Sequence, residues 1–160
     1  MGRIDFGQVF PAAMQSMVGL EKAVHASSLE SSLLELVKMR ASQINGCAHC
    51  LDMHSKDARA QGETEQRLYL LNAWHEAPCY SDRERAALAW CEQLTRIADG
   101  APSDEAYAEL TRHFNDEQIV ALTLSIVAIN GWNRFAISLQ SPVGEYVSPY
   151  AATAHEPAHT

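Results

Sequence analysis

The sequence predicts a single all-α domain. Leu, Ala, Glu, Gln and Arg recur at helical spacing along most of the chain, and no sustained alternation of apolar and polar residues marks a strand. With 160 residues, 47% of them apolar, there is room for one real core and too little chain for two comfortable domains. The expected division is a helical domain over residues 1–140 and a C-terminal tail over 141–160.

After an irregular start, Pro11, tolerated in a first turn, opens a helix to about Ala26. Ser27 or Ser28 offers the N-cap of a second helix, which carries Leu33, Leu34, Val37, Ala41 and Ile44 on one face. It ends at Asn45 and Gly46, residues suited to a left-handed cap. A third helix starts near Cys47 and stops at Gly62, and helical patterning continues from Thr64 to His75, before Pro78. Ser81 with Glu84 is a capping-box signature for a helix striped by Leu88, Cys91, Leu94 and Ile97 and ended by Gly100. Pro102 and Ser103 begin a shorter helix to about Phe114. Asn115 with Gln118 caps a long apolar one through Leu139, which Gly131 is expected to bend. From Ser141 the periodicity is lost, so a tail that is flexible or packed on a neighbouring subunit is expected.

Twenty acidic against twelve basic side chains give a formal charge of −8, which opposes phosphate backbones and anionic lipid. Nucleic acid and membrane are therefore excluded as expected partners. The opening MGRIDFGQVFPAAM reads as neither export signal nor lipid anchor, and the richest apolar stretch, Ile119 to Ile129, is too short to span a bilayer. A cytoplasmic protein is expected. Cysteines at 47, 50, 79 and 91 do not form a secreted disulfide framework. Cys79 and Cys91 read as small buried or semi-buried hydrophobes, and Trp74, Trp90 and Trp132 as core.

The chemistry concentrates at Cys47-Ala48-His49-Cys50-Leu51-Asp52-Met53-His54. Helical spacing places Cys47, Cys50 and His54 along one face, with both sulfurs in a first turn where free N–H groups and the helix dipole favour a thiolate. Glu35 interrupts an apolar run and needs a partner. If the two helices fold back at Asn45 and Gly46, Glu35 lies ~15 Å up one arm and His54 ~10 Å up the other, at about 1.5 Å per residue. The natural order is Glu35, His54, Cys50. The carboxylate then fixes the imidazole tautomer and the imidazole takes a thiol proton. A peroxide would oxidise one sulfur to a sulfenic acid, the other would resolve it as a disulfide, and an external dithiol would reduce that. Two alternatives stay open: a non-catalytic thiol redox switch, and a structural zinc site using the cysteines with His49 and His54, although no second ligand pair completes it.

This pattern resembles the alkylhydroperoxidase D (AhpD-like) branch of the carboxymuconolactone decarboxylase superfamily. Glu35 is followed twelve residues later by Cys47, with His49 just before Cys50 and His54 four beyond it. The likeness continues through Trp74 to Pro78, Glu84 to Trp90 and Asn130 to Arg134. The resemblance implies an all-helical domain with a helix hairpin carrying the motif, assembled as a homotrimer or homohexamer. It implies a peroxidase cycle with no bound cofactor, a hydroperoxide substrate, and a dihydrolipoyl or thioredoxin-like dithiol protein as reductant. Carried over by residue, Cys50 is the peroxidatic thiol, Cys47 the resolving one, Glu35 and His54 the proton relay, and His49 an accessory member acting through water. The Asn130 to Arg134 segment reads as packing near the site, and His75 stands where members more often carry Arg. The related decarboxylases lack the cysteine pair, so the dithiol argues against lactone decarboxylation here.

Overall fold

Ten consecutive residues of one helix, Leu33 to Ser42, are buried, and the fold is the packing that buries them. The structure is a computed structural model that describes residues 2–151. Its elements are α1 (Phe6–Val9), α2 (Pro11–His25), α3 (Ser31–Asn45), α4 (Ala48–Ala60), α5 (Glu65–Leu70), α6 (Asp82–Thr95), α7 (Asp104–His113) and α8 (Asp116–Leu139), with 3₁₀ turns at Leu71–Ala73 and Ile97–Asp99. No strand occurs among the described residues, so the chain has the all-helical fold expected of it.

α3 is enclosed by α4, α6 and α8, while α2 lies along α8 and α7 along α6. This enclosure corrects the expectation of a one-faced amphipathic helix. Leu33, Leu34, Val37 and Ala41 enter the main core with Val24, Leu110, Leu122, Ile126 and Ile129. Leu36 and Met39 enter a second core with Leu71, Trp74, Tyr80 and Leu88 on the other side. Ile44, expected on the buried face, is only half-buried.

Several boundaries differ from the sequence reading. Neither Ser27 nor Ser28 caps α3, whose N-cap position is Glu30. The Ser27 hydroxyl instead donates to the Val24 carbonyl and closes α2, and Ser28 accepts from Gln118 on α8. The helix expected to His75 ends at Leu70. Beyond it the guanidinium of Arg85 donates to the carbonyls of Trp74, His75, Ala77 and Tyr80, so the loop's acceptors are satisfied without helix. α6 stops at Thr95, leaving Ile97 exposed in the following turn rather than on its stripe. The capping boxes at Ser81/Glu84 and Asn115/Gln118 form as expected.

α8 is long and apolar enough to cross a membrane by length and composition alone, but its buried face makes it a core helix here. It runs unbroken past Gly131, where the residue serves close packing rather than a bend. A Cβ there would lie 2.8 Å from the Met17 methyl of α2. After α8 the chain does not hang free of its own domain. Gly144 N–H donates to Asp52, Lys56 donates to the Tyr146 carbonyl, the Tyr146 hydroxyl donates to Asp57, and the Pro142 carbonyl meets His49, so residues 142–146 form a strap along α4. The remaining tail, 152–160, lies outside the described residues.

The α3–α4 hairpin turns on Gly46, at φ 70° and ψ 34°, the left-handed cap its sequence suggests. A Cβ would meet nothing within 4 Å there, so any cost of substitution is conformational. Gly46→Ala is expected to lower stability by about 1–2 kcal/mol, read as a lower urea midpoint at unchanged slope.

Candidate active site

The hairpin brings the predicted residues together. Glu35 on α3 and His54 on α4 are both buried, and His54 Nδ1 lies 2.8 Å from Glu35 Oε2. Burial opposes the Glu35 charge, but the His54 hydrogen bond and the charges of His54 and Lys38 outweigh it and hold the carboxyl below its ordinary range. An ionised carboxylate only accepts, so Nδ1 carries the proton and Nε2 is left as the basic nitrogen.

Cys47 occupies the N-cap of α4, where its Sγ accepts the backbone N–H of Cys50 at 3.4 Å. Neither cysteine is in a disulfide, and both are buried. The Cys47 pKa falls from 9.0 to about 6. The Cys50 S–H donates to it, and the Cys50 N–H, the His49 charge and the Asn133 amide add to this against the cost of burial. Cys50 is pushed upward, because it keeps its proton in that S–H···S bond, is buried, and has the Cys47 charge beside it. The pair therefore releases one proton readily and holds the second. Thiolate character expected of the helix start thus resides on Cys47 at rest.

A cavity of about 680 Å³ opens beside the pair. Cys50, His49, Met53 and His54 border it, as do Trp132 and Phe135 of α8, whereas Cys47 does not. Phe6 closes one side, stacked on Phe135 with ring centroids 4.4 Å apart. His49 reaches the cavity wall, but its Nδ1 donates to the Pro142 carbonyl at 2.5 Å rather than joining the Glu35–His54 pair. His75 is not on the wall; it stacks on Trp74 and faces Glu92 at 3.5 Å.

Further residues of the site escape the sequence reading. Lys38, almost fully buried, donates to Glu21 at 2.9 Å and lies 3.8 Å from Glu35, while Glu21 also accepts the Trp132 indole N–H at 3.1 Å. Lys38 stands three residues after Glu35 in the same apolar run, a signal that could have found it. Asn133, read only as packing, donates to Ser42 and accepts from Asn45, holding an amide against the sulfurs. Asp57 follows His54 by one turn. Among the described residues Glu35, His54 and Asp57 offer donor atoms within 4.8 Å of one another and form the group that could hold a cation, in place of the cysteine and histidine set considered from sequence.

The model of the carboxymuconolactone decarboxylase family matches residues 11–93, a span that contains Glu35, Cys47, His49, Cys50 and His54. The chain belongs to the carboxymuconolactone decarboxylase family. Within it, the chain is 44% identical over 137 residues to the uncharacterized protein YdfG of Bacillus subtilis, covering 86% of this chain and 93% of that one. It is 27% identical to the uncharacterized YnjA of Escherichia coli, over 88% and 75% of the two chains. A solved protein of unknown function from Agrobacterium tumefaciens, provisionally named as the antioxidant defence protein AhpD, superposes with TM-score 0.87 at 42% identity, over 91% of this chain and all of that one. The debrominase Bmp8 shares the fold, with TM-score 0.75 at 21% identity over 84% and 73% of the two chains. These relatives place the protein in the AhpD-like part of the family.

The lowered Cys47 pKa has a direct readout. Alkylation of the reduced protein by iodoacetamide is expected to gain an inflection near pH 6, and Cys47→Ser to remove it. Because the folded value lies below the ordinary one, the thiolate's stabilisation is fully present above about pH 9 and lost as pH falls through about 6. The urea midpoint of the reduced wild type, relative to Cys47→Ser, should accordingly rise across that window.

Proposed function

We propose that the protein is a thiol-dependent peroxidase that reduces hydrogen peroxide or organic hydroperoxides through a Cys47/Cys50 dithiol–disulfide cycle. The observation that carries this reading is the shared wall of the cavity. Cys50 borders it together with His54, whose ring is oriented by the buried Glu35. The AhpD-type name of the Agrobacterium neighbour agrees with it. The likeness to a debrominase is too distant in sequence to bring a substrate with it.

Cys50 holds its proton firmly and so needs a base. His54 Nε2 takes that proton, and Glu35 stabilises the resulting imidazolium. The Cys50 sulfur attacks the terminal oxygen of ROOH. The O–O bond breaks, and the leaving RO⁻ recovers the proton from His54 as ROH, leaving Cys50 as a sulfenic acid. Cys47, already a thiolate at rest, attacks the Cys50 sulfur. The S–O bond breaks and hydroxide leaves, taking a proton from solvent to become water. A dihydrolipoyl or thioredoxin-like dithiol then reduces the disulfide by exchange, supplying two electrons and two protons and becoming a disulfide itself. No bound cofactor takes part in this cycle. His49 tunes Cys47 by its charge. A trimeric or hexameric assembly is proposed with it, for which the exposed Val120 and Val127 of α8 offer apolar surface.

The test mixes the reduced protein with cumene hydroperoxide and a dihydrolipoamide recycling system. Wild type should turn over many times, Cys50→Ser not at all, and Glu35→Gln should be slower on the order of a hundredfold. Full turnover by Cys50→Ser would overturn the assignment. A single oxidation that then stops would favour a redox switch instead.

A further inference from the structure

The strap that follows α8 reaches the relay itself. Asp57 lies one turn beyond His54 on the same face of α4 and is buried. Donor atoms of Asp57, His54 and Glu35 lie within 4.8 Å of one another, so two carboxylates face one imidazole. Lys38 brings one positive charge to this cluster, at 3.8 Å from Glu35, but shares it with Glu21 at 2.9 Å. The remaining carboxylate is met by the strap. The Tyr146 hydroxyl donates to both oxygens of Asp57, at 2.9 Å and 3.0 Å. Four other contacts hold the strap on α4: the Pro142 carbonyl on His49, the Gly144 N–H on Asp52, and the Gly144 and Tyr146 carbonyls on Lys56.

We infer that Tyr146 is a positioning residue of the relay, acting through Asp57 to keep the His54 Nδ1–H donating to Glu35. A phenol satisfies the Asp57 carboxylate without adding charge, and burial and the neighbouring Asp57 raise its own pKa, so it remains a donor. With Asp57 so occupied, Glu35 has no rival for the imidazole N–H, and Nε2 stays free as the base. Without the hydroxyl, Asp57 is a buried carboxylate lacking its donor and draws a ring N–H of His54 toward itself. The base is then misoriented although every other site residue remains. This inference rests on the proposed use of the Glu35–His54 pair, but its first readout needs no turnover.

Tyr146→Phe removes only the hydroxyl. In ¹⁵N spectra of the reduced, full-length wild type, His54 should show the Nδ1–H tautomer, and in Tyr146→Phe a mixture of tautomers. Asp57→Asn combined with Tyr146→Phe removes the rival charge and should restore the wild-type signals. In the peroxidase assay, Tyr146→Phe should lower kcat about tenfold at unchanged KM, and the double variant should recover most of it. A wild-type tautomer in folded Tyr146→Phe overturns the inference. So does a loss that the double variant fails to rescue, since a merely structural hydroxyl would not depend on the charge of Asp57. If no variant, wild type included, turns over peroxide while the tautomer shifts as stated, the peroxidase reading fails and the positioning role stands.

Discussion

An ion placed in a helix that is enclosed on every side must find its partner inside the protein, and α3 contains three such ions. Glu35, Lys38 and Arg40 all lie within its buried stretch. Each is answered by a neighbour: Glu35 by His54, Lys38 by Glu21, and Arg40 by Glu92, Asn72 and Gln43. Breaking such a pair by removing one member typically costs about 3–5 kcal/mol, because it leaves a buried charge uncompensated. The docking of α2, α4 and α6 around α3 is therefore specified by charge as well as by apolar shape. The candidate site is the part of this pairing scheme that opens onto a cavity.

The dithiol adds a second constraint, set by the backbone. Gly46 turns the chain with a left-handed residue, and the next residue becomes the N-cap of α4. A sulfur at an N-cap meets the unsatisfied N–H groups of the first turn, the environment that favours a thiolate. The cysteine three residues on is consequently the one whose proton is held, and it is also the one beside the cavity. The two sulfurs thus differ in charge and in access for one geometrical reason. That division suits a pair in which one member meets substrate and the other waits as a nucleophile.

The cavity shows how elements distant in sequence share one site. α8 supplies Trp132 and Phe135, the N-terminal segment supplies Phe6, and the strap supplies Pro142, all around residues of α4. The indole of Trp132 is tied to Glu21, which also holds Lys38, so the apolar wall and the buried ion network are one construction.

Local chemistry determined much of this protein by itself. The all-helical class followed from periodicity, and the capping residues Ser81, Ser103 and Asn115 and the turn at Gly46 acted where their side chains or φ preferences require. Glu35, Cys47, Cys50 and His54 were legible because helical spacing across one tight hairpin brings them together whatever else the chain does. What periodicity could not decide was how many neighbours a helix has. α3 reads as one-faced, yet it is surrounded, and the buried role of Arg40 follows only from that packing. The segment after Leu70 left the helix because Arg85, fifteen or fewer residues further on, offered its carbonyls another donor. Tyr146 carries no local signal, and the sequence puts Asn133 near the site only as part of the Asn130 to Arg134 segment, without a role. They belong to the site through contacts across roughly ninety residues of sequence, with Asp57 and Ser42, and only the tertiary structure creates that proximity.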